Sequence, residues 1–346
     1  MKTLSMARLP RTLGAAATRP GLLLAFAGLV VTNPVFAQSS VSIYGIVDQG
    51  LAKANSGTTP GSMLPGRGAA SDVLTMKAGN TSRIGFRGRE DLGNDAYARF
   101  QFEHRFAADT GASSNANVFW LGRSVVALGS KQWGELYAGR EYSPAFWVAL
   151  NADPTSWSYV SQLGGTYTYA NYTPVEATVE SSNIRWNNSL GYKSPDMAGF
   201  TFEVATALGE GVRKKSTSGN AQYKTSQLWF GVAFDRLDAD NNLALAAAGY
   251  DFGVVFPKLS YSRAKGGVNG DAKSYSLSAL VPTGFGRAYA SFGSHRPAAG
   301  LNAKMIGAGV QYDLSKRTLL YTNLGSALRD GSTRTTAVDV GIKHSF

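Results

Sequence analysis

Hydrophobic and polar residues alternate with a period of two along most of the chain. In 97–106 (YARFQFEHRF) the even positions are mostly apolar, and the odd positions are mostly polar or charged. The same alternation recurs in 200–208, 228–234, 306–312 and 338–346. Because successive side chains of a strand point to opposite faces, each segment is predicted to be a strand with one apolar and one polar face. We count about 16 such strands.

The connections between these strands are of two kinds. Short turns such as 91–94 and 251–253 alternate roughly with longer polar connections such as 55–74, 210–219 and 329–333. An up-and-down barrel produces this order, with tight turns at one rim and loops at the other. The sequence therefore predicts an all-β fold, a transmembrane antiparallel up-and-down β-barrel. The alternative is a soluble two-sheet sandwich, whose polar face would meet bulk water.

Composition excludes several other classes. Apolar residues make up 44% of the chain and charged residues 16%, yet the mean hydropathy is −0.13. Apolar and polar residues are therefore interleaved, which argues against disorder and against a helical membrane bundle. The 346 residues include no cysteine, so disulfides and thiolate metal sites are excluded. The three histidines lie far apart in sequence, and we expect no metal and no cofactor.

The first 37 residues have the features of an export signal. Four basic residues precede or flank an apolar run at 21–31, and Val35-Phe36-Ala37 provides a cleavage site. The apolar run is too short to span a bilayer, which disfavours a membrane anchor. We predict a signal peptide over 1–37 and a transmembrane barrel over 38–346. The exported part then carries 30 basic and 23 acidic residues, a net charge of +7, and we expect no nucleic-acid partner.

One segment lacks the alternation. About 40 residues between Tyr142 and Ser182 are rich in aromatic side chains and show no strand periodicity. A connection of this length is usually functional or disordered, and its aromatic content argues against disorder. We predict that it folds into the barrel lumen and narrows the pore. The alternative is an external loop that covers a neighbouring subunit.

Arginines recur on the predicted inner face. Arg83, Arg87 and Arg89 share one strand face in RIGFRGRE, and Arg123 and Arg185 lie in two further strands. Arg99, Arg105 and Arg140 are additional candidates, and Glu103 lies among them. Rings of arginine in a pore favour anions, so the pattern predicts anion preference.

Several blocks of the sequence resemble a known family. These are VSIYGIVDQGL, TSRIGFRGREDLG, GELYAGREYSP, NNSLGYKSPDMAGFTF, YDFGV, LSKRTLLY and the final VGIKHSF. Together they are similar to the trimeric general porins of Gram-negative outer membranes, above all to the β-proteobacterial branch. The resemblance implies a 16-stranded barrel in a homotrimer, a third loop folded into each pore, and passive diffusion of ions and small hydrophilic solutes. It also implies contact with outer-membrane lipid and lipopolysaccharide.

The resemblance also implies positions for the pore constriction. The arginine ladder of the family falls on Arg83, Arg123 and Arg185, and Arg140 matches a further basic position. The loop acids of the enterobacterial branch have no matching motif here, and Asp153 in NADPTSW is the nearest acid. We therefore expect Arg83, Arg123, Arg185, Arg140, Arg87, Glu103 and Asp153 at the constriction.

The last residue of the sequence, Phe346, also supports a barrel. Phe346 ends a strand that must close against 41–51, because an open edge in lipid leaves backbone groups unpaired. The resemblance implies that the outer-membrane assembly machinery reads this aromatic residue.

No hydrolase, P-loop or dinucleotide motif occurs, so we expect no enzymatic activity. A substrate-specific channel, or an adhesin that uses the loops, is the alternative function.

Overall fold

The computed structural model describes residues 40–59, 72–173, 183–211 and 214–346, and in these residues antiparallel strands form one sheet. The predicted signal peptide lies outside the described residues. The strands are β1 (Ser40–Ala54), β2 (Thr75–Lys77), β3 (Ser82–Gly93), β4 (Ala96–Phe106), β5 (Arg123–Ser130), β6 (Gly134–Tyr142), β7 (Arg185–Lys193), β8 (Phe200–Ala207), β9 (Ser216–Lys224), β10 (Leu228–Arg236), β11 (Asn242–Tyr250), β12 (Phe256–Lys265), β13 (Ala272–Thr283), β14 (Gly286–Pro297), β15 (Ala303–Asp313), β16 (Thr318–Arg329) and β17 (Thr335–Ser345). The helices are α1 (Pro144–Ala152) and α2 (Gly164–Thr168).

Strands β2 and β3 are two parts of one barrel strand. Lys77 of β2 pairs with Gly50 of β1, and Arg83 of β3 pairs with Ile46 of the same strand. The barrel strand is therefore interrupted over 78–81. With β2 and β3 counted together, the described residues form a barrel of 16 strands, which confirms the predicted number.

The barrel closes between its first and last strands. Residues Ile46–Ala54 of β1 pair with Ala337–Ser345 of β17. Beyond them, Gly45 and Phe346 exchange two backbone hydrogen bonds of 3.1 Å each. This pairing confirms the predicted closure, and it satisfies the backbone groups that an open edge would leave unpaired in lipid.

The two faces of the wall differ as the alternation predicts. On the outer face, apolar side chains such as Val126, Leu277 and Val340 are more than half exposed. Their neighbours along the strands, such as Ser276 and Asp339, are buried on the inner face. An apolar band of this kind is stable only against lipid, so the outer face is the membrane face.

Most connections also follow the prediction, with one exception. At the rim of short turns, Asn94 and Asp95 both adopt positive φ, as a tight hairpin turn requires. The exception is 210–219, which was expected to be a loop. Strand β9 begins at Ser216 and pairs with β8 and β10 over its nine residues. Its outward positions include Thr217 and Gly219, so its apolar alternation is weak and the sequence shows only a short strand within 210–226.

The segment after β6 lies inside the barrel, as predicted. Helix α1 packs mainly against β9–β11, and α2 packs mainly against β13 and β14. Beneath α1, Val148 packs with the inward side chains Trp229, Leu243 and Leu245. We call residues 143–173 the pore loop; the remainder of the predicted loop, 174–182, lies outside the described residues. Among the described residues, no helix has the length and apolar character needed to span a membrane.

Candidate functional site: the pore constriction

Four arginines from neighbouring strands line one cavity on the inner face of the wall. They are Arg83 on β3, Arg105 on β4, and Arg123 and Arg185 at the first positions of β5 and β7. Arg83 pairs with Arg105 in the strand register, and Glu103 pairs with Arg123. The cavity has a volume of about 420 Å³, and the pore loop forms its opposite side.

Hydrogen bonds fix the positions of three of these guanidinium groups. Arg83 donates to Asn80 Oδ1 at 2.5 Å and to the carbonyl oxygen of Thr81 at 3.1 Å. Arg105 and Arg185 each donate to the hydroxyl oxygen of Tyr142 at 2.7 Å. Because one phenol accepts from both groups, two positive charges are held close together at the end of β6.

Two glutamates offset part of this charge. Glu103 accepts from Arg105 Nε at 2.9 Å, and Glu141 Oε1 lies 2.9 Å from Arg123 Nε. Arg123 also donates to Gln101 Oε1 at 3.0 Å. Four arginines against two glutamates leave a net charge of +2 around the cavity.

Glu141 was not among the expected residues. It is 1% exposed and lies behind Arg123, next to Arg140 in the sequence. Simple alternation along β6 from Glu135 through Tyr137 to 141 gives Glu141 the inward parity, so the signal was present in the sequence.

Aromatic rings contact two of the guanidinium groups. The carbon of the Arg185 guanidinium lies 4.5 Å from the centre of the Tyr142 ring. That of Arg123 lies 5.1 Å from the centre of the Trp147 ring. Tyr142 in turn stacks on Phe146 with 4.5 Å between ring centres. Cation–π contacts of this kind orient the guanidinium planes and keep their charge facing the cavity.

The pore loop contributes no charge to the cavity. Its single charged residue, Asp153, is 1% exposed and accepts hydrogen bonds from the Thr155 backbone N–H and hydroxyl at 2.7 Å and from the Gly164 N–H at 2.8 Å. Burial raises the pKa of the Asp153 carboxyl, and these donors oppose the rise. The structure therefore places Asp153 inside the loop, where it holds a turn, and not at the constriction where it was expected.

A family model described as Gram-negative porin matches residues 22–332, which is most of the chain. The chain belongs to this family. Outer membrane porin protein 32 of Delftia acidovorans is 30% identical, with 94% of this chain and 99% of the relative aligned. An outer membrane porin protein of Bordetella pertussis is 28% identical over 97% of this chain and all of the relative. The protein is thus a passive channel of the outer membrane.

A solved structure agrees with this assignment. The anion-selective porin from Comamonas acidovorans matches with a TM-score of 0.73 and 26% identity, over 89% of this chain and all of that chain. The two porins therefore share the barrel fold.

Two of the expected arginines lie away from the cavity of the porin. Arg87 has the inward parity of Arg83, but it is exposed nearer the short-turn rim, where it donates to Ser42 Oγ at 3.2 Å. Arg140 is 7% exposed and donates to the carbonyl oxygen of Leu121 at 3.0 Å and to Asn187 Oδ1 at 2.5 Å. Arg140 thus joins the segment before β5 to β7.

Proposed function

We propose that this porin is an anion-preferring passive channel for ions and small hydrophilic solutes, and that it has no enzymatic activity. The observation that carries the proposal is the cavity, where Arg83, Arg105, Arg123 and Arg185 face pore-loop residues that, over the described 143–173, place no charged side chain in it. An anion that passes this point gains positive charge and N–H donors in place of its water, while a cation meets few acidic groups.

Two further facts support the anion preference. Other inward positions of the wall carry basic residues away from the cavity, among them Arg87, Arg287 and Lys343. The Comamonas porin, which is similar in fold and sequence, is described as anion-selective. These basic residues act in the same direction as the arginines of the constriction.

The test is reconstitution of the purified porin in a planar bilayer under a KCl gradient. We expect stepwise channel insertions and a reversal potential of the sign that chloride permeation gives. A reversal potential of the opposite sign would contradict the anion preference. Failure to form any channel, with the barrel folded by circular dichroism, would contradict the channel function itself.

We also propose that the porin is a homotrimer. The outer face near β1 and β3 is strongly apolar, since Val41 and Ile43 are 68% and 59% exposed. Close to it, Phe119 is 62% exposed and packs edge-on against Trp120. Close packing of such a surface against another subunit would hold the oligomer together, with lipid and lipopolysaccharide covering the rest. Light scattering in detergent should give the mass of three chains, and a monomer would refute the proposal.

Phe346 is proposed as the signal that the assembly machinery reads. Its backbone closes the barrel at Gly45, and its ring lies over the same glycine. Deletion of Phe346 should abolish outer-membrane trimers in cells, while the purified variant still refolds in detergent. Normal trimer levels in cells would leave the residue only a packing role.

The export signal is proposed to be cleaved after Ala37. Mass spectrometry of the outer-membrane protein should find an amino terminus at Gln38. An intact amino terminus at Met1 would instead favour a retained anchor.

A further inference from the structure

We propose that the constriction cavity is a binding site for small aromatic carboxylates, which it prefers over aliphatic carboxylates of the same size. This inference rests on the anion preference proposed above and names the class of anion. Its basis is the contrast between the two sides of the cavity, one cationic and the other aromatic.

The cationic side provides the carboxylate site. Arg83 and Arg105 lie on paired positions of neighbouring strands, and Arg185 shares the Tyr142 hydroxyl with Arg105. Their guanidinium groups are held by the hydrogen bonds described above, so little side-chain freedom is lost when an anion binds. A carboxylate pairs with guanidinium through two parallel hydrogen bonds, which a chloride ion cannot form.

The pore-loop side provides an apolar surface. Trp147, Leu150 and Trp157 are half-buried and line the cavity, and the loop has no charged side chain there. Trp157 packs edge-on against Phe146, with 5.0 Å between ring centres, so the indole is fixed in place. Half-buried indoles beside a water-filled pore leave apolar area for a solute to cover.

The two sides face each other across a space that suits a single small ring. A volume of about 420 Å³ lies near the lower end of the range for small-molecule sites, roughly 300–1,000 Å³. An aromatic carboxylate can place its charge on the arginines and its ring against Trp147. The ring of an aromatic acid has a flat π face that an indole can stack on or meet edge-on, and a cyclohexane ring has none.

The first test uses the wild-type porin in a planar bilayer in KCl, with sodium benzoate or sodium cyclohexanecarboxylate added. We expect benzoate to reduce the chloride current at a concentration about threefold to tenfold lower, the factor that one aromatic contact provides. Equal block by both acids would overturn the inference while the KCl reversal potential still supports the proposed function. A cation-selective reversal potential would instead overturn the proposed function.

The second test replaces the indole. Trp147→Leu keeps an apolar side chain and should remove the difference between the two acids, whereas Trp147→Phe should retain most of it. The matched control is Trp133→Leu, because Trp133 lies 41% exposed between β5 and β6, outside the cavity. The aromatic part of the site would be refuted if Trp147→Leu and Trp133→Leu showed the same difference between block by benzoate and block by cyclohexanecarboxylate.

Discussion

The inner face of the barrel has two unlike sides. On β3–β7 it carries Arg83, Arg123 and Arg185, which face the cavity. On β10 and β11 it carries apolar side chains such as Trp229, Leu243 and Leu245, which are buried beneath α1. Both sides line the same lumen, so the type of side chain at an inward position depends on whether water or the pore loop lies over it. The charged side faces water, and the apolar side faces the pore loop.

Glycines extend the loop-bearing side towards the last strands. Gly307 on β15 faces the carbonyl oxygen of Ser161, and Gly325 on β16 faces that of Val160. A Cβ at either position would overlap the loop backbone. The pore loop is thus seated on small and apolar residues, while the opposite wall supplies the charge.

The largest effect on ion flow should come from moving the pore loop. Gly325→Ala forces a Cβ into the Val160 carbonyl, and overpacking of this kind costs roughly 1–3 kcal/mol. We expect the loop to leave the wall and the single-channel conductance to rise.

The control is Gly284→Ala, since a Cβ there meets no atom within 4 Å. Equal conductance of the two variants, with both folded as judged by circular dichroism, would show that the position of the pore loop does not depend on the close approach at Gly325.

Removal of one charge from the opposite wall should have the next largest effect. A unit charge about 6 Å from a permeating ion contributes roughly 0.7 kcal/mol in water. Because this charge favours an anion and disfavours a cation by the same amount, Arg123→Ala should lower the anion-to-cation permeability ratio by up to about tenfold, and Arg83→Ala and Arg185→Ala should act in the same direction. Reversal potentials in a KCl gradient measure the ratio.

Lys214→Ala is the comparison for this prediction. Lys214 lies beyond the barrel wall and forms a 2.9 Å ion pair with Asp238. A shift as large as that of Arg123→Ala would mean that charge outside the cavity sets the selectivity.

Ionic strength should produce a smaller, graded change. The screening length falls from about 10 Å at 0.1 M salt to about 3 Å at 1 M. If the arginines act through water, anion preference should weaken steadily over this range in the wild-type porin. Selectivity that is constant from 0.1 M to 1 M would indicate direct binding of each ion by the wall.

The smallest change in selectivity is expected from Asp153→Asn. The carboxylate belongs to the packing of the pore loop, and its loss leaves buried donors unpaired at roughly 1–3 kcal/mol. The variant should therefore show noisier channels with an unchanged reversal potential. A shift towards anions of the size expected for a pore acid would place Asp153 at the constriction after all.

Sequence alternation could predict the fold and much of the site. It gave the strand number, the inward parity of Arg83 and the inward path of the pore loop. The alternation could not predict the position of a residue along the pore axis. Arg87 has the same parity as Arg83, but four residues of strand separate the two by about 13 Å. Parity also places Glu141 on the inner face.

Other features depend on contacts distant in sequence. Nothing around Asp153 shows that its carboxylate turns back to Thr155 and Gly164, because aspartate side chains are mostly exposed. The surface that the pore loop packs against can be recognised in the sequence. Strand β11 (NLALAAAGY) is apolar on both faces, which a wall strand facing water does not need.

The contacts of the pore loop also set an order of events in folding. Val160 donates its backbone N–H to Asp339, 179 residues further along the chain, and the Tyr159 N–H bonds to Gly79 in the interrupted strand. Gly79 follows β2, which pairs with β1, and Asp339 lies on β17, so the two partners of the loop become neighbours only when β1 pairs with β17. We expect the loop to dock after the barrel has closed, so that the pore is widest just before folding ends. During refolding, the fluorescence of Trp147 and Trp157 should change in a final phase that follows the gain of strand signal.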